Sequence, residues 1–517
     1  MRLQSYLAGR WQSGTGAGRP LVNATTGVEI ARADATGLDI RGALDHAREK
    51  GGAALRAMTF AQRGALLKAV ADALQARRDE YGAIARENSG NTAADASVDI
   101  DGGIFTLKTY ARLGQLLGDT TRILEPGQEQ LARDPVFFAR HVWATRPGVS
   151  VQINAFNFPS WGMWEKVAQA TLAGVPSLAK PAVATALLSE AMVRDVVAAR
   201  VVPDGVLSLV CGSGEGLVEA LGPMDSVAFT GSSATAMVLR IQVAGMAAAP
   251  RLTVEADSVN ATILGPDVKP GQAVFDLALR EAVKALSVKA GQLCTNIRRI
   301  LVPAEIEQEF TGALAAMVSV LRVGDPADES TRVGPLINVA QREEALRNID
   351  RLSAETKVVA QAVLPDVAES SGFVAPTLLR CAEPASGSAV HELEVFGPCA
   401  TVLAYRDLTE AIVLATKAEG SLALSLFSED AGVQARAVAE LGPWHGRLML
   451  VDGEVGKAHT GHAIVMPQCV HGGPGRAGGG EELGGLRGLR FHMQRSAVQG
   501  GPRMLATIAE HAAEQAL

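Results

Sequence analysis

Cys294 lies in GQLCTN, residues 291–296, between glycine and small polar residues that make poor core material. A thiol in such a loop is a candidate nucleophile, provided a base or local positive potential draws off its proton. Glu255 closes the apolar run RLTVE and is the candidate base. Asn157, in NAFNFPSW, follows a strand-like run, where its amide could donate to a developing oxyanion. Local alternatives stand beside these readings. A free cysteine is commonly a packing residue, and an asparagine just ahead of Pro159 suits a turn.

A second group of residues suits a phosphate. SVAFTGSSATA, residues 226–236, reads as a strand ending in Thr230-Gly231-Ser232 and opening a helix, whose free N–H groups attract anions. CGSGEG, residues 211–216, offers a second strand-to-helix turn, with Gly214 in it. Both also read as ordinary turns capped by serine. Gly473–Gly478 matches G-x-G-x-x-G. Pro474 sits inside that match, and neither a helix nor a βαβ unit surrounds it, so it is read as a decoy.

These residues need a scaffold. Residues 38–90 read as helices ending on Gly90, and 101–118 continue them. VFFARHVWATRPGVSVQI, residues 136–153, reads as a two-stranded arm turning at Arg146-Pro147-Gly148. From about 150 to 255 strands alternate with helices, among them EGLVEAL. That alternation predicts parallel βαβ units in a doubly wound sheet, which binds ligands at the carboxyl ends of its strands. A second alternating block runs from about 260 to 465. The glycine-rich run HGGPGRAGGGEELGG, residues 471–485, reads as an ordered loop beside a site or a flexible crossing, and RFHMQRSAVQG as a strand.

Bulk properties narrow the function classes. A chain of 517 residues exceeds one ordinary core. Its formal charge of −7 and lack of a basic run do not suggest nucleic-acid binding. No apolar stretch reaches the roughly 18 residues of a membrane span, and no secretory signal opens the chain, so a cytoplasmic protein is expected. The five cysteines form no C-x-x-C pair and no disulfide framework is expected. His459 and His462 lack nearby ligand partners in sequence, so no metal site is expected.

In their order the motifs resemble the aldehyde dehydrogenase superfamily over almost the whole chain: FNFP, LAKPA, FTGS, TVEAD, GQLCTN, GDPADESTRVGPLI and EVFGP (394–398). The resemblance implies an α/β fold: a Rossmann-type cofactor domain (1–130 and 150–258), an α/β catalytic domain (259–470), and a small β oligomerisation arm and tail (131–149 and 486–517). It implies that Cys294 attacks an aldehyde carbon while Asn157 and the Cys294 N–H hold the oxyanion. Glu255 then activates water to release the acid from a thioester. Lys166 and Glu482 match positions assisting proton relay. Lys180, Gly214, Thr230, Gly231 and Ser232 fall to the cofactor, with Glu394 at the nicotinamide ribose and Phe396 beside it. Many NAD-preferring relatives carry a glutamate where this chain has Val183. A carboxylate there would repel a 2′-phosphate, so NADP is expected, with NAD possible.

The tail GGPGRAGGGEELGGLRGLRFHMQRSAVQG resembles that of members oxidising CoA-linked semialdehydes in benzoate and phenylacetate degradation. The expected substrate is therefore a CoA-linked semialdehyde, and the glycine-rich run is expected to leave a wide entrance for it. A homodimer or homotetramer is expected, with neither nucleic acid nor membrane as partner. The rival readings are a CoA-acylating enzyme, a general aliphatic aldehyde dehydrogenase, and a non-enzymatic binding protein. Glu255 speaks against the first, because water needs a base and CoA does not.

Overall fold

A computed structural model describes residues 1–456 and 458–515; the side chains of Glu482 and Leu483 lie outside the described part. The first of three main sheets has seven strands, in the order Arg251–Glu255, Ser226–Thr230, Ser150–Ile153, Ser177–Lys180, Leu207–Leu209, Ser5–Leu7, Arg10–Gln12. The first five are parallel and the N-terminal pair is antiparallel. Chain order reverses between Ser150–Ile153 and Ser226–Thr230, the switch point at which such sheets open a crevice.

The second sheet runs Thr356–Gln361, Thr377–Cys381, Cys399–Tyr405, Arg299–Pro303, Ala261–Leu264, Ser421–Phe427, His445–Val451. Only its first strand is antiparallel. These strands are buried on both faces, which explains their continuous apolar runs. In the third sheet, Met493–Gly500 pairs antiparallel with Phe138–Thr145 along its whole length, and Arg122–Leu124 and Ala512–Glu514 complete the row.

Two sequence readings are corrected here. Phe138–Thr145 and Ser150–Ile153 do not form a two-stranded arm, because the turn at 146–148 carries the chain from the third sheet into the first. EGLVEAL is a run of turns rather than a helix. Its apolar spacing is helical, but glycines flank it closely and Gly216 is left-handed (φ 80°).

The helical N-terminal region supplies the long helix Ala93–Leu117, started by a reciprocal cap between Thr92 and Asp95. It packs on helix Trp161–Ala173 around Trp164, Tyr110 and Leu172, all fully buried. Large side chains like these contribute roughly 1.5–3 kcal/mol each on burial, so the floor beneath Asn157 is firm. No described helix is long and apolar enough to cross a membrane.

Candidate active site

The carboxyl ends of the first sheet deliver most of the expected residues. Asn157 follows Ser150–Ile153, Lys180 ends its strand, Thr230-Gly231-Ser232 leave theirs, and Glu255 ends the outermost one. The segment leading into the second sheet brings the thiol. Helix Ala273–Ser287 stops at Val288, and Lys289 and Ala290 both turn left-handed (φ 49°). Gly291 follows at φ 72°, where a Cβ would lie 2.2 Å from the Gly397 carbonyl oxygen. Only glycine fits such a place.

Buried donors then fix the loop. Asn260 Nδ2 donates to the Cys294 and Asn296 carbonyls at 2.8 and 2.9 Å. Arg298 donates to the Gly291 and Leu293 carbonyls at 3.0 and 3.2 Å. With its backbone held away, Cys294 presents a half-buried side chain to a cleft that Asn157, Lys166, Thr230 and Glu255 also line.

The same cleft holds a residue that sequence reasoning passed over. His471, on the short strand His471–Gly472, places Nε2 3.0 Å from Glu255 Oε2 and Nδ1 3.5 Å from Glu165 Oε1. The first contact is a close ion contact rather than an aligned hydrogen bond. Ligating atoms of Glu255, Cys294 and His471 all lie within 4.8 Å of one another. Lys166 Nζ reaches the Gly162 carbonyl at 3.3 Å and lies 3.8 Å from Glu165.

Charge follows this geometry. Burial alone would raise the Glu255 carboxyl, which is 1% exposed, but the adjacent His471 charge reverses this and holds it well below the usual range. Burial works against a charge on His471 as well. The charges of Glu255 and Glu165 overcome it and lift the ring well above an ordinary histidine. Burial, then the Glu255 charge, push the Cys294 thiol up to about 12, with His471 opposing. The resting site is thus a neutral thiol beside a carboxylate–imidazolium pair.

Delivering His471 takes the glycines after it. A Cβ on Gly472 would lie 2.0 Å from the Gly480 carbonyl oxygen, and one on Gly478 2.1 Å from that of Val254. The Ala477 carbonyl accepts the Ala256 N–H at 3.0 Å. The run is therefore packed on the strand that carries Glu255, an ordered loop rather than an open mouth. No α-helix opens from Gly473–Gly478, which holds only one short 3-10 turn at Gly475–Ala477. A histidine in a glycine-rich loop carries no distinctive spacing, so the sequence offers no signal for it.

Most of the residues expected at the cofactor lie at the carboxyl ends of the first sheet, near the switch point. Ser232 caps helix Ser233–Ala244, accepting from Thr235 N at 3.3 Å. Gly214 lies beside the Lys180 side chain, and a Cβ on it would stand 3.7 Å from Lys180 Cε. Burial and then the Arg19 charge lower the Lys180 ammonium. Val183 opens the short turn Val183–Thr185. Beyond the thiol loop, Glu394 pairs with Arg298 at 3.0 Å and accepts the Ser258 N–H at 3.1 Å. Burial raises it to about 7 despite Arg298. Phe396 packs edge-on to Phe156 with centroids 5.5 Å apart. Glu482 lies on strand Glu481–Leu483, and its side chain falls outside the described residues.

A thiol, a carboxylate and an amide in one cleft beside a doubly wound sheet define a class, and sequence comparison agrees with it. The profile of the aldehyde dehydrogenase family matches residues 11–498. The chain belongs to that family, oxidoreductases that act on aldehydes with NAD or NADP. It is 45% identical over 480 residues to 3,4-dehydroadipyl-CoA semialdehyde dehydrogenase of Aromatoleum evansii, covering 92% of this chain and 93% of that one. Among solved structures, a betaine aldehyde dehydrogenase of Staphylococcus aureus in complex with NAD+ superimposes with a TM-score of 0.82 at 24% identity, over 96% of this chain and 97% of that one. A putative aldehyde dehydrogenase of Burkholderia cenocepacia gives 0.82 and 24%, over 96% and 99%. At such identity these two structures speak for the fold alone.

Proposed function

We propose that the protein oxidises a CoA-linked semialdehyde of the 3,4-dehydroadipyl-CoA type, formed in aromatic-compound degradation, to its carboxylic acid with NADP. The convergence of Cys294, Glu255 and Asn157 on one cleft carries the reaction. The 45% identity to the Aromatoleum enzyme supports the substrate class.

Lys180, Gly214 and the Thr230-Gly231-Ser232 turn at a helix N-terminus suit the phosphates, and Glu394 and Phe396 the nicotinamide end. Val183 leaves the 2′-phosphate unopposed. When bound, NADP supplies the acceptor for the electron pair and hydrogen leaving the aldehyde carbon. Residues 1–130 and 150–258 would hold it, 259–470 would supply the nucleophile, and 131–149 with 486–517 would join subunits into a dimer or tetramer.

The chain's own groups do the rest. Glu255 accepts the thiol proton in concert with attack, so that no free thiolate builds up beside its charge, and the positive His471 steadies the charge developing on sulfur. Cys294 Sγ adds to the aldehyde carbon. The Asn157 amide donates one N–H to the Gln292 carbonyl at 3.0 Å, which orients it and leaves the second for the oxyanion, with the Cys294 N–H. After oxidation a thioester remains on Cys294. Glu255 must shed its proton before it can serve as base again. His471 bridges Glu255 to Glu165, with Lys166 behind, and gives that proton a way out. Glu255 then deprotonates water, which releases the acid and restores the thiol; Glu482 would assist.

The test supplies wild type and Cys294→Ala with a CoA-linked aliphatic semialdehyde, its free-acid counterpart, and NADP or NAD, while product is analysed with and without free CoA. The expected result is Cys294-dependent reduction of NADP, faster with the CoA-linked substrate, giving the acid. Equal activity of the variant would refute the cysteine mechanism, and an acyl-CoA product would favour the CoA-acylating reaction.

A further inference from the structure

Beneath the cleft lies a cluster of buried charges that the proposed reaction does not use. Helix Ala93–Leu117 carries Asp95 and Asp99 one turn apart, so both point the same way. Asp95 is 4% exposed and accepts the Lys289 N–H on Oδ1 at 2.8 Å, while its other oxygen accepts from Thr92. Asp99 is fully buried; it accepts Trp161 N at 2.8 Å and Ser160 N at 3.3 Å. Both carboxylates favour the charged form of Lys289, against its burial. Its ammonium has no hydrogen-bond partner among the described residues and stands 4.8 Å over the Phe158 ring. Cations held over an aromatic face in this way are attracted to it.

Apart from the Thr92 cap, each contact reaches one of two segments. Lys289 belongs to the loop that ends in Cys294. Phe158, Ser160 and Trp161 belong to the segment that begins with Asn157. The helix also comes close to the second segment: a Cβ on Gly102 would lie 2.3 Å from Trp161 Cε3, and one on Gly103 2.9 Å from Ser160 Oγ. Neither glycine needs a special φ, so their small size serves this approach. Buried charges are costly unless paired, and a core of apolar residues would be at least as stable. A polar cluster here therefore needs another reason.

We infer that Asp95, Asp99 and Lys289 are positioning residues that fix the Asn157 amide relative to the Cys294 thiol, using one helix as a common base for both segments. This rests on the reading of Asn157 and Cys294 given above. A shift of about 1 Å between nucleophile and oxyanion donor can cost on the order of 100-fold in rate, so the cluster acts on kcat rather than on binding.

The test is a double-mutant cycle on the full-length protein with its aldehyde and NADP, using Asp99→Asn, Lys289→Met and Asn157→Ala. Asp99→Asn and Lys289→Met should each lower kcat by about 10- to 100-fold, with KM for both substrates within about twofold of wild type. In the Asn157→Ala background, Asp99→Asn should cost little more, since the amide it positions is gone. Lys289→Arg should recover part of the rate lost in Lys289→Met. Multiplicative losses in the cycle, or single variants within twofold of wild type, would overturn the inference. If Asp99→Asn does not fold, the Lys289→Met cycle decides in its place. Undiminished turnover by Asn157→Ala would instead count against the proposed mechanism itself.

Discussion

His471 Nε2 stands 3.0 Å from Glu255 Oε2, so the carboxylate that faces Cys294 carries its own counter-charge. The pair has opposite effects on Cys294. Glu255 helps to keep the thiol neutral, and His471 works to ionise it.

That opposition can be measured through thiol reactivity. In Glu255→Gln a negative charge leaves, the Cys294 pKa falls from about 12, and alkylation at a fixed pH speeds up. Turnover nonetheless falls by about 10²–10⁴-fold, because the base is lost. Iodoacetamide kinetics on each variant in a background lacking the exposed Cys469 report the first change, and steady-state assays the second. Slower alkylation in Glu255→Gln would contradict the charge assignment.

His471→Gln should behave the other way. Without the positive ring the thiol rises further, alkylation slows, and kcat drops by about 10²-fold or more. The loss should be greatest in thioester hydrolysis, where Glu255 must be emptied of its proton. A burst of cofactor reduction before a slow steady state, seen by stopped flow, would show that. Wild-type kinetics in this variant would remove His471 from the mechanism.

Glu394 gives a pH signature. With its carboxyl raised to about 7, it is neutral below that pH and ionised above it. A ribose hydroxyl bonds more strongly to the ionised form. KM for the cofactor should therefore fall as pH rises through about 7. Glu394→Gln should abolish this dependence and leave KM raised about tenfold, the cost of roughly 1.4 kcal/mol in one charged hydrogen bond. A flat wild-type profile would argue that Glu394 does not touch the cofactor.

Val183→Glu should turn cofactor preference toward NAD. A carboxylate near the 2′-phosphate repels it and offers the plain ribose an acceptor. The ratio of kcat/KM for NADP over NAD should drop by about 10-fold or more. An unchanged ratio would place specificity elsewhere.

Much of the site was legible because its residues sit in distinctive company. Cys294 among small polar residues, Glu255 at the end of an apolar strand, and Asn157 before Pro159 all occupy strand ends or loops that alternating βα periodicity can locate. What escaped notice were residues whose importance lies in contacts remote along the chain. His471 was one residue of a glycine-rich run. Asp95 and Asp99 fall between the helical runs read at 38–90 and 101–118, and nothing local says that one will hold Lys289 and the other Trp161. Periodicity also cannot say which sheet a strand joins. Phe138–Thr145 and Ser150–Ile153 read as one arm because the partner of the first, Met493–Gly500, is far away in sequence.

The tight seating of the run after His471 bears on how the protein can diversify. Gly472, Gly475 and Gly478 have positive φ, and a methyl group on any of them would meet a backbone oxygen at 2.0–2.2 Å. No neighbour can yield there, because each obstacle is main chain. Even alanine would displace the segment and with it the imidazole. Descendants of this sequence seeking new aldehydes are thus barred from exploring this stretch one codon at a time. Ala463 and Val465 on the cleft wall lie outside this run, so changes of size there do not meet the same main-chain obstacle.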